Sequence, residues 1–339
     1  MPMKFRQWRQ RPTTDNSPSI AQADRLNSAT HVTTSELIAL QQAARKLKLE
    51  RSIPATASTV GSHRSRFRGR GMDYSESRVY QAGDDIRGMD WRVTARAGKP
   101  HTKLYEEERE RPVVMLLDFS PSLFFGSRKA LKSVVLARAA TLLGWAAARN
   151  GDRIGALLFN GEHTELPPKS GQHGALNLIR QLVRYSDPLH GLAAEPKRGH
   201  LNAALKRLRR TVRPGSLVFL LSDFYDIDDD TGTQLQRLQQ HNDIVAIQVV
   251  DPLELEAPPP GRYAVTDGRQ TGFLDTTSHR TREQYNAFFA AHHQRIEELM
   301  RRYQIPLLQL STADDVTQTL QSWFGASRRK SLQQKHRAA

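Results

Sequence analysis

Apolar and polar positions along this chain switch between two periods, and the switching outlines the fold. Val113-Val114-Met115-Leu116-Leu117 is an unbroken apolar run that ends in Asp118. A run of that length predicts a strand buried on both faces, here 113–118. Three further runs of strand length, 153–159, 216–222 and 243–250, follow downstream. Between them the apolar residues recur every three or four positions, which predicts helices over 128–149, 175–185, 201–212 and 232–240. Asn150-Gly151 is a suitable C-terminal cap for the first of these. Strands alternating with helices predict an α/β fold built on a doubly wound, mainly parallel sheet.

The flanks read differently. Pro258-Pro259-Pro260-Gly261 introduces a predicted β-hairpin that bends at Asp267-Gly268. A long helix over 281–303, a strand over 306–310 and a helix over 314–324 complete the domain, taken as 112–326. Upstream, Thr33 and Glu36 have capping-box spacing and open an amphipathic helix running to Leu49, with Leu37, Leu40, Ala44 and Leu47 as its apolar stripe. Residues 1–32 and the basic tail 327–339 lack periodicity and are predicted to be disordered, and 52–59 reads as a linker. Together, 1–59 forms an arm plus a helix. Residues 60–111 carry Gly, Arg and Asp but too few apolar residues for a core of their own. They are predicted to pack on the main domain, with Trp91 buried and Arg78 and Arg87 paired to carboxylates.

Composition narrows the classes. The 339 residues are 38% hydrophobic and include no cysteine, so disulfides, thiolate metal sites and cysteine nucleophiles are excluded. The segment 134–148 is the most membrane-like, but it contains Arg138 and is too short to span a bilayer. The start, Met1-Pro2-Met3-Lys4-Phe5-Arg6, lacks the apolar stretch of a signal peptide, and a cytoplasmic location is expected. The net charge of +15 is spread along the chain, with densities at 64–70 and 328–337. No zinc-finger, RNP or helix-turn-helix pattern accompanies it, so specific nucleic-acid recognition is not expected. Nonspecific binding to nucleic acid or an anionic surface through Arg64, Arg66, Arg68, Arg70 and the tail is an alternative.

The candidate chemistry lies at the end of the first strand. Asp118, Ser120 and Ser122 follow it at alternate positions, and Asp223 ends the run 216–222. Ligands of open α/β sheets bind outside the carboxyl ends of the strands, so all four are expected to meet in one crevice. Hard oxygen donors suit magnesium. As a strand-end carboxylate, Asp118 is expected to be exposed and to matter little to the core. A hydrolase using Asp118 and Asp223 is a second alternative, although no base or nucleophile stands beside them in the sequence.

Two resemblances add to this reading. Asp118-x-Ser120-x-Ser122 after an apolar strand resembles the opening of the metal-ion-dependent adhesion site of von Willebrand factor A domains. The block Tyr74, Glu76, Arg78, Tyr80, Gly83, Asp84, Asp85, Arg87, Asp90 and Trp91 closely resembles the bacterial family known as domain of unknown function 58. In that family such a block precedes a von Willebrand factor A-like domain, and the likeness here covers about 60–250. The family often has Met where this chain has Leu123. A complete adhesion site also takes a Thr from a second loop; the matching segment, 198–205, has none, and His200 stands near the position. The resemblance therefore implies at most weak magnesium binding by Asp118, Ser120, Ser122 and Asp223. It further implies a non-enzymatic adaptor that works with a MoxR-type AAA+ ATPase on a client protein or in metal-cofactor assembly. In such a protein, the open coordination position of the ion would take a partner's carboxylate.

Overall fold

The strand that ends at Asp118 is an interior strand of a six-stranded sheet, and its alternate residues are buried on opposite faces. The computed structural model describes residues 29–49, 72–81, 84, 86–107, 111–192, 199–266 and 271–325. The expected disordered ends, the linker 52–59, the arginines of 64–70, Gly83, Asp85 and the hairpin bend at Asp267-Gly268 all lie outside the described residues. The chain divides into two compact units, 59–110 and the remainder.

In the larger unit the main sheet contains β3 (Pro112–Asp118), β4 (Arg153–Phe159), β5 (His163–Ser170), β6 (Leu217–Ser222), β7 (Asp243–Val250) and β10 (Leu307–Ser311), while β8 (Arg262–Thr266) and β9 (Thr271–Asp275) pair antiparallel with each other, as the expected hairpin requires. The order in the main sheet is β10-β7-β6-β3-β4-β5, parallel throughout except for β5, which pairs antiparallel with β4. Val113, Met115 and Leu117 face one apolar layer while Val114 and Leu116 face the other. The first layer is covered by the helices Thr34–Ala44, Lys132–Arg149, Gly171–Tyr185 and 316–325, the second by His200–Thr211, Asp229–Gln239 and the C-terminal half of His279–Arg302. This is the doubly wound α/β architecture that the alternation predicted.

Several boundaries differ from expectation. The helix expected from Arg128 begins at Lys132, because residues 126–131 form a tight loop. A side chain at Gly126 would stand 2.3 Å from the carbonyl oxygen of Ala130, so only glycine fits that loop. The helix after Thr33 ends at Ala44 rather than Leu49; Thr33 caps it as expected, accepting the Glu36 N–H over 3.3 Å. Glu36 makes no reciprocal bond, since its carboxylate accepts from Arg138 at 2.6 Å. The edge strand β5 was not anticipated. It carries Pro167 and Pro168, which a sheet tolerates only where one side of the strand is unpaired.

Among the described residues the smaller unit contains β1 (Met72–Val79) and β2 (His101–Glu107), an antiparallel pair, with a 3-10 turn, Ile86–Gly88, and a seven-residue helix, Trp91–Ala97, between them in the chain. Asp90 caps that helix, accepting from the N–H groups of Arg92 and Val93 and from Ser77 Oγ at 2.8 Å. Arg78 pairs with Asp84 at 2.8 Å, as expected, while the side chain of Arg87 lies outside the described residues. Trp91 corrects the expectation of burial: 67% of its surface is exposed. It occupies the first position of a helix that buries none of its residues, so the ring has no apolar layer to enter.

Candidate functional site

The switch point of this sheet lies between β3 and β6, where the order of strands reverses, and both carboxylates expected in the crevice are placed there. Asp118 is nevertheless buried, with 5% of its surface exposed, which corrects the expectation of an exposed strand end. Its Oδ1 accepts the N–H of Ser120 at 2.8 Å and the Ser120 hydroxyl at 2.5 Å; its Oδ2 accepts the Ser222 hydroxyl at 2.6 Å. Burial and the neighbouring Asp223 charge push the Asp118 carboxyl up to about 7, against the lowering effect of these donors. Ser122 is half-buried on the turn Pro121–Leu123 and makes none of the hydrogen bonds of the cluster.

Asp223 faces a different partner. Its Oδ2 accepts a hydrogen bond from Lys132 Nζ at 2.9 Å, and the same ammonium donates to Glu254 Oε1 at 2.6 Å. Lys132 is fully buried, and Asp223 and Glu254 are 2% and 6% exposed. Burial pulls the lysine down, but the two carboxylates outweigh it and hold its pKa raised. For Glu254 burial is the larger effect and the carboxyl is raised despite Lys132. Both groups are raised, but the shift favours the charged lysine and disfavours the charged glutamate, because one ammonium serves two carboxylates: it is doubly stabilised, while Glu254 shares it with Asp223.

Each of these groups is positioned by local structure. Lys132 is the first residue of its helix, after Leu131, which offers no side-chain cap. Asp251, Pro252 and Glu254 form a capping box on the short helix Pro252–Leu255 directly after β7, with Glu254 Oε2 accepting the Asp251 N–H at 2.9 Å. Asp251, itself fully buried, accepts from the N–H and hydroxyl of Ser127, from Leu253 N–H and from the Thr312 hydroxyl. From the long helix, His292 stacks on Tyr225 at 4.5 Å and lies 3.4 Å from the carbonyl oxygen of Asp223. His293 reaches the Glu254 carbonyl oxygen at 3.0 Å.

The second loop is also rebuilt. Phe224 follows Asp223 with φ 55°, a left-handed conformation that is strained for a bulky residue, and its N–H donates to the Ser222 hydroxyl. This turn carries Asp226 to the start of the helix His200–Thr211, where its carboxylate accepts the N–H groups of Gly199 and Leu201 at 2.9 and 3.2 Å. The start of that helix is thus held by an internal carboxylate.

These residues do not fit a resident divalent ion. The negative charge of Asp223 already meets an ammonium, both oxygens of Asp118 are engaged by internal donors, and the second loop supplies no hydroxyl. Among the described residues no group of three or more His, Asp or Glu is placed to hold a metal. Sequence reasoning brought Asp118, Ser120 and Asp223 to one edge but missed Lys132, Glu254, Ser222 and Asp251. The run Asp251-Pro252-Leu253-Glu254 carried a legible helix-start signal at that edge. A lysine at a helix start carries none.

Comparison with known proteins gives a match of residues 76–295 to the family described as "Protein of unknown function DUF58". "Uncharacterized protein Rv1480" of Mycobacterium tuberculosis is 30% identical over 275 residues, covering 80% of this chain and 84% of the relative. Among solved structures, the chain is similar to an aerotolerance-related membrane protein from Bacteroides fragilis, with TM-score 0.43, 15% identity, and coverage of 65% and 99%. It is also similar to proximal thread matrix protein 1 from the mussel byssus, solved with a zinc-occupied MIDAS motif, with TM-score 0.36, 15% identity, and coverage of 64% and 47%. No described helix is long and apolar enough to cross a membrane.

Proposed function

The chain belongs to the family described as "Protein of unknown function DUF58", and from that premise we propose that it is a non-enzymatic protein-interaction protein. In this reading it is cytoplasmic and acts as an adaptor for a MoxR-type AAA+ ATPase, presenting a client or an assembling metallocofactor protein. The observation that carries it is the burial of both carboxylates at the switch point, 5% exposed for Asp118 and 2% for Asp223. A hydrolase needs a carboxylate or a base–nucleophile pair that reaches the reacting atoms. Here the carboxylates shape a rim instead, and what faces a partner is Ser120, Ser122 and the 39%-exposed Tyr225. No ion enters this reading, because the residues at the crevice do not fit one.

Charge alone favours the alternative of nonspecific anion binding less. It rests on Arg64, Arg66, Arg68, Arg70 and the basic tail, which lie outside the described residues, and no base-reading motif accompanies them. The test is a pull-down from native lysate on the immobilised full chain and on Tyr225→Ala, with captured proteins identified by mass spectrometry. An AAA+ ATPase retained by the first and depleted on the second is the expected result. Absence of any AAA+ ATPase overturns the reading. Capture of nucleic acid that vanishes as salt rises supports the alternative.

A further inference from the structure

We infer that the ammonium of Lys132 is the resident cation of this crevice, standing where the site it resembles would hold a divalent ion. Three observations point there independently of any partner. The first is placement. Lys132 is 0% exposed, yet it sits at the start of a helix, where the positive end of the helix dipole disfavours a cation. A buried ammonium in such a position persists only when paired, and it is paired twice, with Asp223 at 2.9 Å and Glu254 at 2.6 Å.

The second is connectivity. An ion at a strand-edge crevice ties together loops from different strands, and Lys132 does the same work with hydrogen bonds. It links the helix after β3 to Asp223 at the end of β6 and to Glu254 after β7. Its third contact is with an aromatic face, the Tyr225 ring 5.7 Å from Nζ. A divalent ion would want oxygen there.

The third is the state of the remaining ligand positions. Ser120 and Ser222 direct their hydroxyl protons at Asp118, Asp226 accepts the N–H groups of Gly199 and Leu201, Asp223 accepts from Lys132, and of the expected ligands only Ser122 stands outside these hydrogen bonds. Apart from Ser122, these described groups at both loops are held by internal hydrogen bonds.

A sealed monovalent cation has a functional consequence. It offers no open coordination position, so a partner's carboxylate cannot complete the site, and engagement of the crevice is insensitive to chelators. This goes beyond the adaptor reading and is tested without a partner, so the failure of one leaves the other standing.

The experiment uses the full chain and manganese as the probe. Bound Mn2+ is read by electron paramagnetic resonance, and melting temperatures are compared in magnesium and in excess chelator. The expected wild-type result is no bound Mn2+ and the same melting temperature in both buffers. Lys132→Gln removes the charge while keeping donors for both carboxylates. With Asp223 and Glu254 then left uncompensated, it is expected to bind one Mn2+ between those two carboxylates and to melt about 5 °C or more higher in magnesium than in chelator. Stoichiometric Mn2+ on the wild-type protein overturns the inference, as does a folded Lys132→Gln that ignores metal. Should Lys132→Gln fail to fold in chelator, refolding with Mn2+ decides: recovery supports the inference and no recovery overturns it.

Discussion

Trp145 donates its indole N–H to the carbonyl oxygen of Leu37 at 3.1 Å, joining the N-terminal helix to the helix Lys132–Arg149. Arg138 and Arg149 reinforce the same seam, the first through Glu36 and the second through the carbonyl oxygens of Arg45 and Leu47. The helix Thr34–Ala44 is therefore part of the first apolar layer rather than an appended arm, and Leu37 is fully buried in it. Leu37→Ala should cost about 2–5 kcal/mol, and Trp145→Phe, which removes one hydrogen bond and part of a buried ring, about 1–3 kcal/mol. Urea denaturation, read as a shift in midpoint at constant slope, measures both.

Asp118 should respond differently to two substitutions. Asp118→Ala leaves the Ser120 and Ser222 hydroxyls without their acceptor and should cost about 1–3 kcal/mol. Asp118→Asn keeps an acceptor for Ser120 and removes the charge that burial and Asp223 oppose. It should stay within about 1 kcal/mol of the wild-type protein at pH 7. Equal losses in the two variants, by chemical denaturation, would show that the repulsion is not felt.

Asp251 sets a pH dependence. Burial opposes its charge, but donors on Ser127, Thr312 and Leu253 win and hold the carboxyl below the usual range. Between its folded and unfolded values the unfolded chain binds the extra proton, so stability rises with pH. The contribution is complete above about pH 4 and is lost as pH falls through the folded value. Asp251→Asn should cost about 1–3 kcal/mol at pH 7, with the gap to wild type narrowing below pH 4. Urea midpoints from pH 3 to pH 7 test this.

The smaller unit hinges on Asp90, which caps the helix Trp91–Ala97 and accepts from Ser77 on β1. Asp90→Ala should remove about 1–2 kcal/mol locally. Limited proteolysis should then cut within 72–107 faster than in wild type, while the α/β unit keeps its melting temperature. Unchanged proteolysis would show that the cap does not hold the unit.

Much of the architecture was legible because burial is written locally. A five-residue apolar run bounded by Pro112 and Asp118 has the length and flanks of a strand with both faces covered, and Val113 to Leu117 divide between the two layers as that requires. The cap at Thr33, the helix expected over 175–185 and found at Gly171–Tyr185, and the position of Asp118 at a strand's carboxyl end follow from the same local patterns. The edge strand His163–Ser170 escaped notice because an edge needs little apolar content and admits proline.

The chemistry of the crevice was legible only in part. Asp-x-Ser-x-Ser fixes its own hydrogen bonds within two residues, so Asp118 with Ser120 was readable. Lys132 and Glu254 stand 122 positions apart, and Lys132 and Asp223 stand 91 apart. Sequence determined the strands, the carboxylates and the edge they share. Tertiary structure decided which cation answers them, because burial depends on local pattern, whereas a buried charge depends on the distance to its partner, and only the closed sheet sets that distance.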